Sequence, residues 1–126
     1  MAELIEVLKD PDNEHPVPTV WRDTLSSIVD ALIRDEFSLN SIENVSPISK
    51  NEADRLRRNI AAYGVHLSEL PERAWQTSVC RWMEDYWDVL VDLFTEEEGE
   101  SDLVLFIKVY EREVSYRFNV ESVHVP

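Results

Sequence analysis

Tyr86-Trp-Asp-Val-Leu-Val-Asp-Leu-Phe94 and Asp102-Leu-Val-Leu-Phe-Ile-Lys-Val-Tyr110 decide the fold. Each alternates two residue sets at period two, the pattern of a strand whose successive side chains point to opposite faces. In the first segment Trp87, Val89, Val91 and Leu93 form one wholly apolar row, and in the second Leu103, Leu105, Ile107 and Val109 do the same. β-Branched and aromatic residues enrich both segments, and a third, Ser115 to Val125, shares that composition. The Thr95–Ser101 link holds Gly99, as longer hairpin loops often do. Three antiparallel strands in succession follow from this reading. Ser78 to Met83 reads as a fourth strand or as a short helix.

Facing the core rows to one another sets the register. The first hairpin then pairs Asp88 with Lys108, and the second pairs Lys108 with Arg117. In the last strand Tyr116, Phe118, Val120 and His124 take the apolar side, with Arg117, Asn119 and Glu121 opposite. The row Asp88–Lys108–Arg117 reads as a solvated rung of the outer face rather than a catalytic site. Opposite charges side by side contribute roughly 0.2–1 kcal/mol in such a rung. The same face carries Tyr86, Leu90, Phe94, Val104, Phe106 and Tyr110, with Asp92 among them. A monomer seldom exposes so large an apolar patch. The expectation is therefore a homodimer through this face, or else an N-terminal arm folded over it.

Working outward, Trp21, Leu25, Ile28, Val29, Leu32 and Ile33 recur on one helical face, predicting a helix over 19–36 with Thr19 as N-cap. Residues 37–48 read as a loop or short irregular hairpin. Ser49-Lys-Asn-Glu52 is a capping box for a second helix that buries Ala53, Leu56, Ile60 and Tyr63 and stops at Gly64. A helical turn fits Pro71 to Trp75. Upstream, residues 2–9 suggest a short amphipathic helix through Leu4, Ile5 and Leu8. Pro11, Pro16 and Pro18 then enforce an extended connector. The fold class is α+β, with N-terminal helices packed on one face of a C-terminal antiparallel β-meander of three to four strands. One domain spans 1–126: an arm over 1–18, a helical part over 19–64 and a sheet over 78–126.

The chain has 26 Asp+Glu against 12 Lys+Arg, a formal net charge of −14. Phosphate binding needs a basic surface, so nucleic acid is excluded as a partner, and an anionic membrane surface is excluded for the same reason. The longest apolar run, Leu103 to Ile107, is five residues, against about 20 for a membrane span. The single Cys80 and an acidic start at Met1 point to a cytoplasmic protein. Two glycines cannot form a phosphate loop, and one Cys with three separated His gives no structural zinc spacing, so no metal or cofactor is expected. Cys80 with His66 would be a nucleophile pair only if the fold joined them; a buried core cysteine is the commoner outcome.

Glu96-Glu-Glu-Gly-Glu-Ser-Asp102 is the most acidic stretch. It lacks the spacing of a calcium loop and reads as a solvated hairpin loop. Between Trp82 and Ile107 there are nine acids and no Lys or Arg. That asymmetry predicts one strongly negative edge of the sheet, centred on Glu96, Glu97 and Glu98, suited to a basic partner. Trp75, Trp82 and Trp87 read as core filling ahead of interface anchors. His66 and His124 would share a pocket between helices and sheet if the helices fold over the apolar row.

Val89-Leu-Val-Asp-Leu-Phe-Thr-Glu-Glu-Glu-Gly-Glu-Ser-Asp-Leu103 and the ending Val123-His-Val-Pro126, with Ile28-Val-Asp-Ala-Leu32 and Ile60–Gly64, resemble a family of small uncharacterised bacterial proteins. The resemblance implies no activity, so no functional residue carries over. The order of elements is also similar to that of nuclear-transport-factor-2-like domains, which curl a sheet around helices and often dimerise through it. Two functions follow as expectations. The first is an acidic protein-binding domain, such as an immunity-like partner of a basic protein. The alternative is a small-molecule-binding or enzymatic domain with a pocket at His66 and His124. The enzyme reading ranks second.

Overall fold

In the computed structural model, residues 4–126 are described. The part of the expected 2–9 helix at residues 2–3 lies outside them. Residues 4–9 form no helix; the arm is extended and held by the body. Thr19 accepts the Ile5 N–H through Oγ1 at 2.8 Å and donates its own N–H to the Ile5 carbonyl at 3.0 Å. The hydroxyl expected to cap the first helix is thus spent on the arm, and Pro18 stands at the N-cap without a side-chain hydrogen bond.

Helix α1 spans Thr19–Ile33 and buries Trp21, Leu25, Ile28, Val29 and Leu32 as the periodicity predicts. It stops three residues before the expected end at residue 36. Asp35 adopts φ 63°, and the Glu36 N–H returns to the Ala31 carbonyl at 2.8 Å. This is a Schellman-type stop, usually built on glycine. Ile33 leaves the buried stripe and is 40% exposed. Residues 37–48 form a loop, as expected, that plugs Phe37, Leu39 and Val45 into the core. Helix α2, Lys50–Tyr63, starts at the predicted cap, where Ser49 Oγ accepts the Glu52 N–H and donates to the Glu52 carboxylate. Gly64 closes it at φ 81°.

Among the described residues, six strands make one antiparallel sheet: β1 His15–Pro16, β2 Leu67–Ser68, β3 Val79–Trp82, β4 Trp87–Thr95, β5 Gly99–Glu111 and β6 Tyr116–His124. Their order is β1-β3-β4-β5-β6, with β2 paired to the far end of β4. The segment left open between strand and helix is therefore strand β3, and a 3₁₀ turn at Glu72–Gln76 precedes it. Two-residue β1 and β2 carry no legible alternation and were not expected as strands. The architecture is α+β, with helices N-terminal and the sheet C-terminal and open. Trp87, Val89, Val91, Leu93, Leu105, Ile107 and Val109 are fully buried beneath the helices.

The β4–β5 register pairs Asp88 with Lys108, as predicted. The β5–β6 register does not follow the prediction. Lys108 faces Asn119, and Arg117 faces Tyr110. The turn is Arg112–Ser115, closed by the Arg112 N–H on the Ser115 carbonyl at 2.8 Å, which puts the tip at Glu113 and Val114, one residue later than the predicted register requires. Two cations are thereby kept out of direct opposition. A bulge between Phe106 and Ile107 then flips the parity of β6. Val123 becomes the core residue, and His124 pairs with Val104 on the outer face. The expected apolar-side placement of His124 is corrected by that one extra residue.

The arm closes the end of the core where the indoles gather. Trp21 and Trp87 meet edge to face at 5.2 Å, and Trp82 lies 4.5 Å from Trp87. Trp87 Nε1 donates to the Leu8 carbonyl at 2.9 Å. Lys9 sits over the Trp82 ring and pairs with Glu111. The described part of the arm thus covers the core side; on the outer face it places Glu14 at the rim of a shallow depression near Asp88 and Leu90.

Candidate functional site

The β4–β5 hairpin turns through Glu96, Glu97 and Glu98 between Thr95 and Gly99, which stand opposite each other. Gly99 takes φ 73°, the left-handed residue that a three-residue hairpin requires. An added Cβ would meet only Arg73 Nη2, at 3.7 Å. The cost of Gly99→Ala is therefore conformational rather than steric. It lowers stability by about 1 kcal/mol or more, read from the denaturation midpoint at unchanged m-value.

The loop is anchored to β2. The Glu96 N–H donates to the His66 carbonyl at 2.9 Å. The Glu97 carboxylate receives the His66 backbone N–H at 2.9 Å and meets His66 Nδ1 at 2.8 Å. His66 is held above its ordinary 6.5 by that hydrogen bond and by the charge of Glu97. Glu97 is held below its ordinary 4.5 by the backbone and ring N–H groups of His66. The histidine's stabilising share is complete below 6.5 and fades as pH rises through its raised value. The carboxylate's share is complete above 4.5 and fades as pH falls through its lowered value. The clamp is tightest between those limits. Both groups are solvated, so the energy is small. Proton titration by NMR should place His66 above its ordinary 6.5, and Glu97→Gln should bring it back; an unmoved His66 would contradict the clamp.

Beside this loop, the C-terminal end of α1, the outer side of α2 and β2 enclose a cleft of about 530 Å³. Its floor is apolar: Leu32, Ile33, Phe37, Ile60, Val65 and Leu67. Asp35, Arg57, His66 and Glu96 form the rim. Arg57 is already engaged, over the Phe37 ring at 4.7 Å and paired with Asp35 and Asp54. Around the hairpin tip, Glu96, Glu98, Glu100 and Asp102 are exposed and have no ion-pair partner among the described residues. Only Glu97 of the expected acidic trio is paired.

The acidic segment is less one-sided in space than along the chain. Glu84 and Asp85 precede β4, at the opposite end of the strand from Glu96. Arg81 stands opposite Asp88, and Arg73 lies over Phe94 beside Gly99. The negative field is therefore concentrated at the tip rather than along a whole edge.

The expected outer-face residues do share a face. Tyr86 and Tyr110 rings lie 5.5 Å apart, Leu90 pairs with Phe106, and Asp92 pairs with Val104. Cations lie over three of the aromatic rings there: Lys108 on Tyr86, Arg112 on Tyr110 and Arg73 on Phe94. Phe94 and Val104 are buried and the others half-buried. Burial pushes the Asp88 carboxyl above its ordinary range, and Lys108 opposes that shift.

His66 and His124 do not share a pocket. His66 is on the cleft rim, while His124 lines a separate depression with Asn59 and Tyr63 and bonds Ser122 through Nδ1. Cys80 is also remote from His66: it pairs with Val89, whereas His66 contacts the loop beyond Thr95. Six residues of strand separate them, about 20 Å. Burial pushes the Cys80 thiol up to about 11, so it is no thiolate nucleophile. The histidine opposite Cys80 is His15, which meets Asp10 instead. No group of His, Cys, Asp and Glu among the described residues has metal-site geometry, and no helix among them is long and apolar enough to cross a membrane. The cleft is assembled from three separated segments; the expected pocket between helices and sheet named His66, which lies on its rim, but not the α1, α2 and Phe37 residues that make its floor.

No curated protein and no solved structure matches the chain, so the likeness to nuclear-transport-factor-2-like domains rests on element order alone. The match that exists begins within α1 and takes in the cleft and the whole meander, leaving the arm and Trp21 outside. It is to the family described as domain of unknown function DUF7668, over residues 29–126, and the chain belongs to that family.

Proposed function

We propose that this chain is an acidic protein-binding domain whose cleft and hairpin tip receive a basic, amphipathic segment of another protein. The observation that carries the reading is the juxtaposition of an apolar-floored cleft, with Glu96 on its rim, and the adjoining hairpin tip, where Glu98, Glu100 and Asp102 also lack an ion-pair partner among the described residues. An apolar floor takes the hydrophobic face of such a segment, and the carboxylates attract its Lys and Arg residues and speed the encounter. The net charge of −14 acts in the same direction over longer range. A neutralising, immunity-like role toward a basic protein is the biological form this chemistry would take, and a reducing cytoplasm suits the buried thiol of Cys80.

A volume near 530 Å³ also suits a small ligand. Against that alternative, the rim offers one free imidazole edge and an already paired Arg57, with no set of converging donors. The two readings separate in one calorimetric titration. The probes are a helical Leu/Lys/Arg peptide and its Leu/Glu counterpart, at low and physiological salt. Binding of the basic peptide alone, weakened by salt, is the expected result. Equal binding of both peptides, or of neither, would sink the proposal. The outer sheet face is a separate surface, and self-association through it is a further proposal.

A further inference from the structure

Strands β3 to β6 set Arg81, Asp88, Lys108 and Asn119 side by side in one rung of the outer face. Two atoms in that rung, Asp88 Oδ1 and Asn119 Oδ1, are buried without a hydrogen-bond partner. Such orphans are rare in native proteins and call for an explanation. Their neighbours on the rung are donors turned elsewhere. The Lys108 ammonium lies over Tyr86 at 4.8 Å and is 3.8 Å from Glu121, while Arg81 is exposed to solvent.

The face is also the place where the acid excess disappears. Arg81, Lys108 and Arg117, with Arg73 and Arg112 over its rings, stand against Asp88, Asp92, Glu100 and Glu121, with Glu14 at the rim, in a chain with 26 acids and 12 bases. A molecule of the same charge meets the least repulsion here.

Read in reverse, the rung is Asn119–Lys108–Asp88–Arg81. A two-fold axis between β4 and β5, parallel to the strands, therefore lays Lys108 of each copy over Asp88 of the other, and Arg81 over Asn119. Each pair sets a cationic side chain against an acid or an amide. The same operation lays Tyr86 over Tyr110 and Leu90 over Phe106, because those pairs flank the same axis. Self-complementarity under a two-fold axis is what an isologous interface requires, and aligned packing of two sheets is a standard arrangement. We infer that a second copy of this chain docks on the outer face, in the register that sets Asp88 against Lys108.

Light scattering of the intact chain from micromolar to millimolar concentration should show the mass rising from one chain to two. Asp88→Lys and Lys108→Asp each place two like-charge contacts in the pair, and each should weaken self-association about 100-fold. Mixed together, the two variants should associate again, since each then meets only opposite charge. Mixing repairs nothing within either chain, so the rescue reports contact between copies. A wild-type chain that stays monomeric throughout, or a mixture no more associated than either variant alone, overturns the proposal. Should a variant lose its native circular-dichroism spectrum, amide shifts of the wild-type chain on dilution decide the matter. Shifts confined to the Arg81–Asn119 rung and its two flanking rows support the interface, and shifts elsewhere overturn it.

Discussion

Trp87→Ala should lower the unfolding free energy by about 4 kcal/mol, the range for a large aromatic removed from a packed core. Trp87 is fully buried, with Trp21, Trp82 and Tyr116 around its ring. Its indole N–H holds the Leu8 carbonyl. The substitution therefore opens a cavity and unfastens the arm together. Against a total stability of roughly 5–15 kcal/mol, that loss is a large fraction. Trp87→Phe separates the two effects. It keeps most of the ring but leaves the Leu8 carbonyl without its donor, at a cost of about 1–3 kcal/mol. The arm should then show faster amide exchange at Ile5 and Thr19 while the meander stays protected. Chemical denaturation gives the energies. A loss below about 1 kcal/mol for Trp87→Ala would contradict the packing described here.

Neutralising the hairpin tip should have the largest effect on binding. In the quadruple variant Glu96→Gln, Glu98→Gln, Glu100→Gln, Asp102→Asn, association with the basic peptide should slow about tenfold or more at low salt and lose most of its salt dependence. The fold should hold, because none of the four carboxylates forms an ion pair among the described residues. A control carrying Asp12→Asn, Asp23→Asn, Glu43→Gln and Glu113→Gln has the same net charge but leaves the tip intact. Stopped-flow mixing compares the two. Equal slowing in both would mean that overall charge, and not the tip, governs the encounter.

What could be read from the sequence follows physical range. The β4–β5 pairing was legible because the alternation sets Val89 and Val91 against the β5 core row with Asp88 opposite Lys108; the bulge between Asp92 and Phe94, which leaves Leu93 without a partner, was not. The β5–β6 pairing was not legible, since registers two residues apart satisfy the same parity and only the position of the turn chooses between them. The bulge that turns His124 outward has no local signal at all. Helix α1 overran in the reading because Asp35, not a glycine, takes the left-handed stop. The acidic loop was visible as composition. Its anchoring by His66, its neighbouring Arg73 and the cleft beside it depend on segments about thirty residues or more away in the chain.

The arm sets an order of assembly. Its fastenings reach to Trp87 and to Glu111, 79 and 102 residues downstream of Leu8 and Lys9. During synthesis a segment that emerges ahead of the helices and the meander is therefore among the last to find its place. Contacts across such separations close late, after hairpins between neighbouring strands have formed. Until then the indole cluster at that end of the core stays open to water and to chaperones, and a nascent chain halted before Glu111 would present it unsealed.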